Sequence, residues 1–212
     1  DGRRFLVKSG TLDSSGGADA VWRVATATGD AWMATVQRHT ARTFGQIGKI
    51  RVGVKTCADK IFIRHDWEAA TNGEMPELLR PLTTHHGAGR YRATTPKKVR
   101  HILYPHAVID GQRRASDLDQ FPKSRAYLEA NRAALEGRTY VIEGGRKWYE
   151  IWVPQDPVSW SCPKLVFRDI SERPTFWLDL DGSVVNGDCY WMIAANERDA
   201  ELLWLAVAVA NS

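Results

Sequence analysis

The sequence has few of the features that would fix its class at once. Its three cysteines, Cys57, Cys162 and Cys189, are scattered along 212 residues without a Cys-x-x-Cys spacing. That argues against a disulfide framework or a zinc knuckle and favours a reducing, cytoplasmic setting. The longest apolar run, Leu202 to Ala210, is about half of the roughly 20 residues that cross a bilayer, and no signal peptide opens the chain, so no membrane partner is expected. No Gly-x-Gly-x-x-Gly or Walker loop offers a phosphate cradle, and no Gly-x-Ser-x-Gly elbow offers a nucleophile. The spaced acid pair followed by x-Lys of the common restriction nucleases is missing, and so is any Pro-Pro pair. His85, His86, His101 and His106 lack the i, i+4 spacing of a zincin and read as solvated loop residues rather than metal ligands. The charge excess is small too, 29 Lys and Arg against 25 Asp and Glu, or +4. Only its distribution can speak for a polyanionic partner.

What is present is an ordinary globular composition, 43% hydrophobic and 25% charged, enough for one substantial core or two small ones. Position 1 is Asp and the last residues, Leu205 to Ser212, stop in an apolar segment, which reads as a piece of a longer protein. Residues 1 to about 45 mix Gly, Ser, Ala and Thr (Ser14-Ser15-Gly16-Gly17) with Trp22 and Trp32. Their weak periodicity predicts an irregular or helical linker from a missing catalytic domain, with a helix over 20–38 interrupted at Gly29-Asp30. From about 46 to 212 the pattern sharpens. Ile50, Val52 and Val54 alternate with Arg51, Gly53 and Lys55 as a half-buried strand, Thr56 to Asp59 make a connection, and Ile61 to Ile63 form a second apolar run.

Pro122 to Glu136 reads as a helix with Pro in its first turn and Gly137 at its C′ position. Beyond it, runs rich in β-branched and aromatic residues (139–143, 147–153, 164–167, 175–180 and 184–193) predict strands. Glu197 to Ala210 predicts a closing helix with Leu202, Leu203, Leu205 and Val209 on one apolar face. The fold class expected is α+β: a mixed, strand-rich domain with a few helices.

Between Arg90 and Arg114 stand seven bases, Arg90, Arg92, Lys97, Lys98, Arg100, Arg113 and Arg114, against one acid, Asp110; residues 138 to 212 carry eleven acids against seven bases. A basic face therefore exists despite the bland total. Such a cluster can neutralise phosphates, and the loop from His85 and His86 to Arg92 has the side chains that read base edges in a major groove. Two other readings stay open. Asp179 and Asp181 in Phe176-Trp177-Leu178-Asp179-Leu180-Asp181-Gly182-Ser183 are placed like the aspartates of a magnesium-dependent phosphatase, although Asp181-Gly182 is more simply a hairpin turn. Trp148, Tyr149 and Trp152 could stack on single-stranded nucleic acid or RNA, although Trp148 and Trp152 on one strand face read as core.

The segment Lys49-Ile50-Arg51-Val52-Gly53-Val54-Lys55-Thr56-Cys57-Ala58-Asp59-Lys60-Ile61-Phe62-Ile63 resembles the Gly-Ile-x-Thr-Gly-x-Asn-x-x-Phe opening of the TaqI-like C-terminal specificity domain, the target-recognition part of adenine-specific DNA methyltransferases and fused restriction-modification enzymes. The resemblance continues in order through Glu77 to Leu82, Ile102-Leu103-Tyr104-Pro105, the Tyr127-Leu128 helix with Arg132, Leu135 and Arg138, Trp148 to Ile151, Pro163 to Ser171, Asp188-Cys189-Tyr190 and Ala210-Asn211-Ser212. It implies a double-stranded DNA partner, a tethered methyltransferase domain that binds S-adenosylmethionine, and no catalytic residue or cofactor in this chain. It also points to Lys55 and Thr56 as DNA contacts, with Lys60 flanking the same cleft; Arg168 is a further candidate, although Arg168-Asp169 and Glu172-Arg173 also read as a structural ion-pair patch. One departure stands out: the family's second Gly is Cys57 here, so a positive φ at that turn must be made without glycine.

Overall fold

A computed structural model of the chain describes residues 2, 4, 6, 9–13 and 23–212. It forms two compact units, Asp1–Thr43 and Phe44–Ser212. In the first, strands β1 (Thr11–Asp13) and β2 (Arg23–Ala25) pair antiparallel, and helix α1 spans Ala27–His39. Gly29-Asp30 opens this helix rather than breaking it, because the Thr26 side chain accepts a hydrogen bond from the Gly29 N–H at 3.2 Å as an N-cap. The Ser14–Gly17 stretch and the start of the helix expected from Ala20 lie outside the described residues.

The second unit runs α2 (Phe44–Ile47), β3 (Arg51–Val52), α3 (Asp59–Phe62), β4 (Ile63–Arg64), α4 (Trp67–Ala70), β5 (Leu79–Thr83), β6 (Tyr91–Arg92), β7 (His101–Leu103), β8 (His106–Ile109), β9 (Gln112–Ala115), α5 (Pro122–Ala130), α6 (Arg132–Glu136), α7 (Thr139–Glu143), β10 (Lys164–Arg168), β11 (Phe176–Asp179), β12 (Val184–Val185), β13 (Cys189–Met192) and α8 (Leu202–Ala210). This is the α+β class read from the sequence. Two sheets organise it, one ordered β3-β13-β10-β11-β6 and one ordered β12-β5-β7-β4, beside a β8-β9 hairpin.

The five-stranded sheet is buried on both faces, as its alternation dictates. Leu165, Leu178 and Met192 meet Leu203, Ala206 and Val207 of α8, while Val166, Trp177 and Trp191 face a larger core with Ile102, Leu103, Leu128 and Leu135. Asn211, fully buried, accepts from the Phe176 N–H at 3.0 Å and donates to the Phe176 carbonyl at 2.8 Å. The closing Ala-Asn-Ser thus latches α8 to β11.

Several local expectations are corrected. The Pro122–Glu136 helix breaks at Asn131, whose side-chain amide donates back to the Tyr127 carbonyl at 2.8 Å, and Gly137 keeps a right-handed φ of −60°. The 139–143 run is helical, because a single turn buries Val141 and the Gly144-Gly145 pair ends it, with Gly145 at φ +74°; burial overrides β propensity. The 147–153 run forms no strand beyond a bridge between Val153 and Lys55. Trp148 and Trp152 are only partly buried, covered by Arg132 at 5.0 Å and Arg146 at 5.3 Å from their ring centres. Ile61 and Phe62 belong to α3, which leaves only Ile63 to begin β4.

Asp181-Gly182 turns the chain, with Gly182 at φ +76°, but closes no hairpin, since β12 pairs parallel with β5 in the other sheet. A helical turn over Glu197–Asp199, capped by Asn196, delays α8 to Leu202. The face α8 buries is Leu203, Ala206 and Val207; Leu205 and Val209 are exposed, because a segment apolar all round carries no polar marker of its outer side. His106 is buried, not solvated.

Candidate nucleic-acid interface

Strand direction and register gather one end of both sheets into a single surface. β3 and β10 end there, and β13, β11 and β6 begin there, since Arg168 pairs with Cys189, Phe167 with Phe176, Val52 with Tyr190 and Tyr91 with Trp177. In the second sheet, β5, β12 and β4 end and β7 begins at the same place, with Val185 opposite Thr83 and Arg64 opposite His101. The turn Asn186-Gly187-Asp188 joins the two sheets. Val54 N–H donates to the Val185 carbonyl at 2.8 Å, and the Asn186 N–H to the Thr83 carbonyl at 2.9 Å. This close approach requires glycine twice: a Cβ on Gly53 would lie 2.0 Å from the Asn186 oxygen, and one on Gly187 would lie 2.7 Å from the Val54 oxygen.

A groove results. One part, ≈ 570 Å³, is lined by Val54 to Asp59 and Asn186 to Asp188; a second, ≈ 450 Å³, by Asp59, Lys60, Ile63 to Asp66, Arg100 and Asn186. Its acids are engaged within the fold. Asp59 receives the Thr56 hydroxyl, Asp66 takes Arg64 through two bonds of 2.9 Å, and Asp188 holds the His85 ring Nδ1 and, at 3.4 Å, the His85 N–H. Lys55, Lys60, Arg90, Arg92, Lys97, Lys98 and Arg100 form no ion pair among the described residues. The hydroxyl partner leaves Asp59 its charge, so the lining sets four bases, Lys55, Lys60, Arg64 and Arg100, against three acids, Asp59, Asp66 and Asp188, a small positive excess that favours polyanions.

Of the residues singled out from sequence, Lys55, Thr56, Lys60 and Arg100 line the groove, and His85 and His86 reach its edge through Asp188; Arg168 ends β10 beside Cys189 and lines a separate cavity with Glu172 and Arg173. The His85 and His86 rings lie 3.9 Å apart, and the neighbouring His85 ring first, then burial and the charge of Arg100, hold His86 below the ordinary histidine pKa. Thr56 is buried, and its hydroxyl accepts from the Ala58 N–H at 3.0 Å; it shapes the turn instead of presenting a contact.

Arg90, Arg92, Lys97 and Lys98 sit on the exposed excursion between β5 and β7, whose edge strand β6 brings Arg90 and Tyr91 to the same end. Tyr91 is itself exposed at φ +72°, with Arg90 over its ring at 5.7 Å. Arg113 and Arg114 do not join them. They lie on β9, reached from the other end of β7 through an Asp110-Gly111 hairpin turn with both φ values positive, and line a separate cavity. Sequence reading missed Arg64, His65 and Asn186; the Asn186-Gly187 dipeptide between two apolar runs was the available turn signal.

Cys57 occupies the left-handed region at φ +55°, so the turn keeps the conformation expected of glycine while bearing a side chain. Left-handed backbone costs an L-residue about 1 kcal/mol or more. Cys57→Gly is expected to leave the fold intact and raise stability by about 0.5–1 kcal/mol in urea denaturation; a loss of stability would show that the thiol holds the turn.

No family model matches the chain, but it is homologous to part of the type II methyltransferases, and its fold is that of part of a restriction-modification enzyme. It is 34% identical over 214 residues to the type II methyltransferase M.BanIII of Aneurinibacillus aneurinilyticus, across 100% of the chain and 37% of that protein. It is 31% identical over 126 residues to M.PaeR7I of Pseudomonas aeruginosa, covering 58% of the chain and 20% of that protein. With M.BstVI of Geobacillus stearothermophilus it shares 24% identity over 148 residues, 70% of the chain and 25% of that protein. Among solved structures, the type IIL restriction-modification enzyme MmeI in complex with DNA superposes with a TM-score of 0.52 at 14% identity, over 82% of this chain and 22% of that one. The chain thus spans about a third or less of the curated relatives it matches.

Proposed function

We propose that this chain is the target-recognition part of a site-specific adenine-N6 DNA methyltransferase, of the TaqI-like kind, and that the groove at the shared end of the two sheets seats double-stranded DNA. The observation that carries this reading is that Lys55, Lys60 and Arg100, from three separate segments, line one groove at that end and form no ion pair among the described residues. Lysine and arginine there set the register of the duplex on phosphates, and His85, His86 and Asn186 stand where base edges can be read.

Methyl transfer belongs to the part of the protein outside these residues. The chain has neither a glycine-rich loop nor a Pro-Pro-aromatic loop, so S-adenosylmethionine and the flipped adenine are assigned to that part. Among the described residues no helix is long and apolar enough to cross a membrane, and no group of three or more His, Cys, Asp or Glu is placed to hold a metal.

Binding of a mixed-sequence duplex, followed by fluorescence anisotropy from 50 to 300 mM salt, tests the reading. Each phosphate contact contributes about 0.9 to the slope of log K against log salt, so Lys55→Ala/Lys60→Ala should lower its magnitude by about 1.8. An unchanged slope removes the groove from the interface. Single-strand binding as tight as duplex binding would favour a stacking module instead.

A further inference from the structure

The second basic cavity lies away from the groove and is unlike it. It measures ≈ 250 Å³ and is lined by His106, Arg113, Arg114, Arg146, Glu150, Pro154, Gln155 and Pro157. Its walls are fixed. β8 and β9 pair over four residues with His106 opposite Ala115; the Tyr104 hydroxyl donates to the Pro154 carbonyl at 2.6 Å, and the Gln155 side-chain amide to the Val52 carbonyl at 2.8 Å.

His106 is 8% exposed, and its Nε2 accepts the Ile151 N–H at 3.0 Å. That bond fixes the tautomer. The proton sits on Nδ1, which has no protein acceptor among the described residues, and His106 lines the cavity. Burial, reinforced by the charge of Arg146, pushes the ring down to about 3, so it stays neutral and keeps this donor at physiological pH.

Around this donor the charges are cationic. Strand alternation puts Arg113 on the same face of β9 as Ala115, toward Tyr104 and His106, and Arg114 on the rim, bonded to Gln112 at 2.8 Å. Arg146 is held at the mouth by the Ile151 carbonyl at 3.1 Å. Glu150 is the one acid lining the cavity; it accepts the Lys147 N–H at 2.8 Å and lies 3.9 Å from Arg146.

We infer that this cavity binds a phosphate group, with Arg113 and Arg146 as its charge partners and the His106 Nδ1–H as the donor at its floor. Guanidinium forks match tetrahedral oxyanions, and a neutral N–H donor beneath them favours an acceptor-only ligand. The inference does not depend on the groove being a DNA site. The group comes either from a duplex phosphodiester or from free phosphate, and the experiment separates the two.

The test is titration of the 212-residue chain with inorganic phosphate at constant ionic strength, read on the Ile151 amide and His106 ring resonances, with chloride as the control and Arg113→Glu as the variant. Arg113 is exposed, so the fold should survive; an unchanged melting temperature without phosphate checks this. Phosphate is expected to shift both resonances, and Arg113→Glu to weaken its binding at least tenfold. If the source is a duplex, Arg113→Glu also lowers duplex affinity and reduces the salt slope by about one; if it is free phosphate, duplex binding is unchanged. Resonances that respond equally to chloride, or phosphate binding indifferent to Arg113→Glu, would overturn the inference. Neither result bears on the Lys55 and Lys60 test.

Discussion

Arg138→Met is expected to destabilise the chain by about 3–5 kcal/mol and to disorganise the Lys55 to Lys60 turn at the same time. Arg138 is 5% exposed, and the structure gives it no carboxylate partner among the described residues. Its guanidinium donates to the carbonyls of Leu135 at 3.2 Å, Thr56 at 2.9 Å, Glu150 at 3.0 Å and Trp148 at 2.6 Å, with the Phe62 ring 5.4 Å from its centre. Burial pulls its pKa below the ordinary arginine value, yet it stays charged because that value starts so high.

One planar group thus binds the end of α6, the turn that carries Lys55 and the otherwise irregular 148–150 segment. Methionine fills much of the volume but leaves four acceptors without their donor: the buried Leu135 and Thr56 bonds are worth about 1–3 kcal/mol each, and the part-buried Glu150 and Trp148 bonds less, because water can replace the donor there. Lysine, with one compact ammonium, cannot span four carbonyls and is expected to recover less than half of the loss. Urea denaturation followed by tryptophan fluorescence gives the first number. Amide shifts confined to 56–60 and 148–151 in a folded Arg138→Lys variant give the second result; a loss below about 1 kcal/mol would mean that Arg138 is peripheral.

The same residue shows how far the sequence can be read. Arg138 was visible as part of an ordered family pattern, but its work is with backbone carbonyls that no residue type advertises. Segments whose burial follows one period were legible: β10 and β11 bury alternate faces, and the Pro at the start of α5 marks its first turn. Segments decided by tertiary contact were not. The 139–143 run has strand composition and helical structure because only Val141 is taken inward. In the basic region, proximity in sequence misled. Arg100 and Arg113 are close along the chain, yet β7 separates the groove from the second cavity. Lys55 and Arg100, distant in sequence, line adjoining parts of one groove because the 186–188 turn ties both sheets together. Periodicity reports which face a residue takes, whereas strand order decides which ends meet, and strand order is not a local property.

The motif that most resembled a catalytic site supplies the other large effect. Asp179 is 4% exposed and sits opposite Lys164, which is fully buried; Lys164 Nζ lies 3.1 Å from the Asp179 carboxylate and 2.8 Å from the Trp160 carbonyl, and the second Asp179 oxygen accepts the Asp181 N–H at 2.9 Å. Both carboxylate oxygens are therefore engaged by the fold, which explains the Asp-x-Asp-Gly pattern as a buried ion pair followed by a turn. Removing either partner strands a charge in the core, so Asp179→Leu and Lys164→Met should each cost about 3–5 kcal/mol. The double variant should regain most of the loss, because two apolar side chains no longer require the pair, and a double-mutant cycle should return a coupling of several kcal/mol.

The dependence on pH fixes the cause. Burial already lowers the pKa of Lys164 with Asp179 present, and without Asp179 the folded value falls further below the unfolded one. The unfolded chain then holds more protons, so the stability of Asp179→Leu should rise with pH, by at most about 1.4 kcal/mol per unit, up to the unfolded lysine value near 10.4. Single variants that cost less than about 1 kcal/mol, or a cycle with no coupling, would return Asp179 to the list of groups free for chemistry, and a magnesium-dependent phosphatase assay on wild type and Asp179→Asn would then decide whether it performs any.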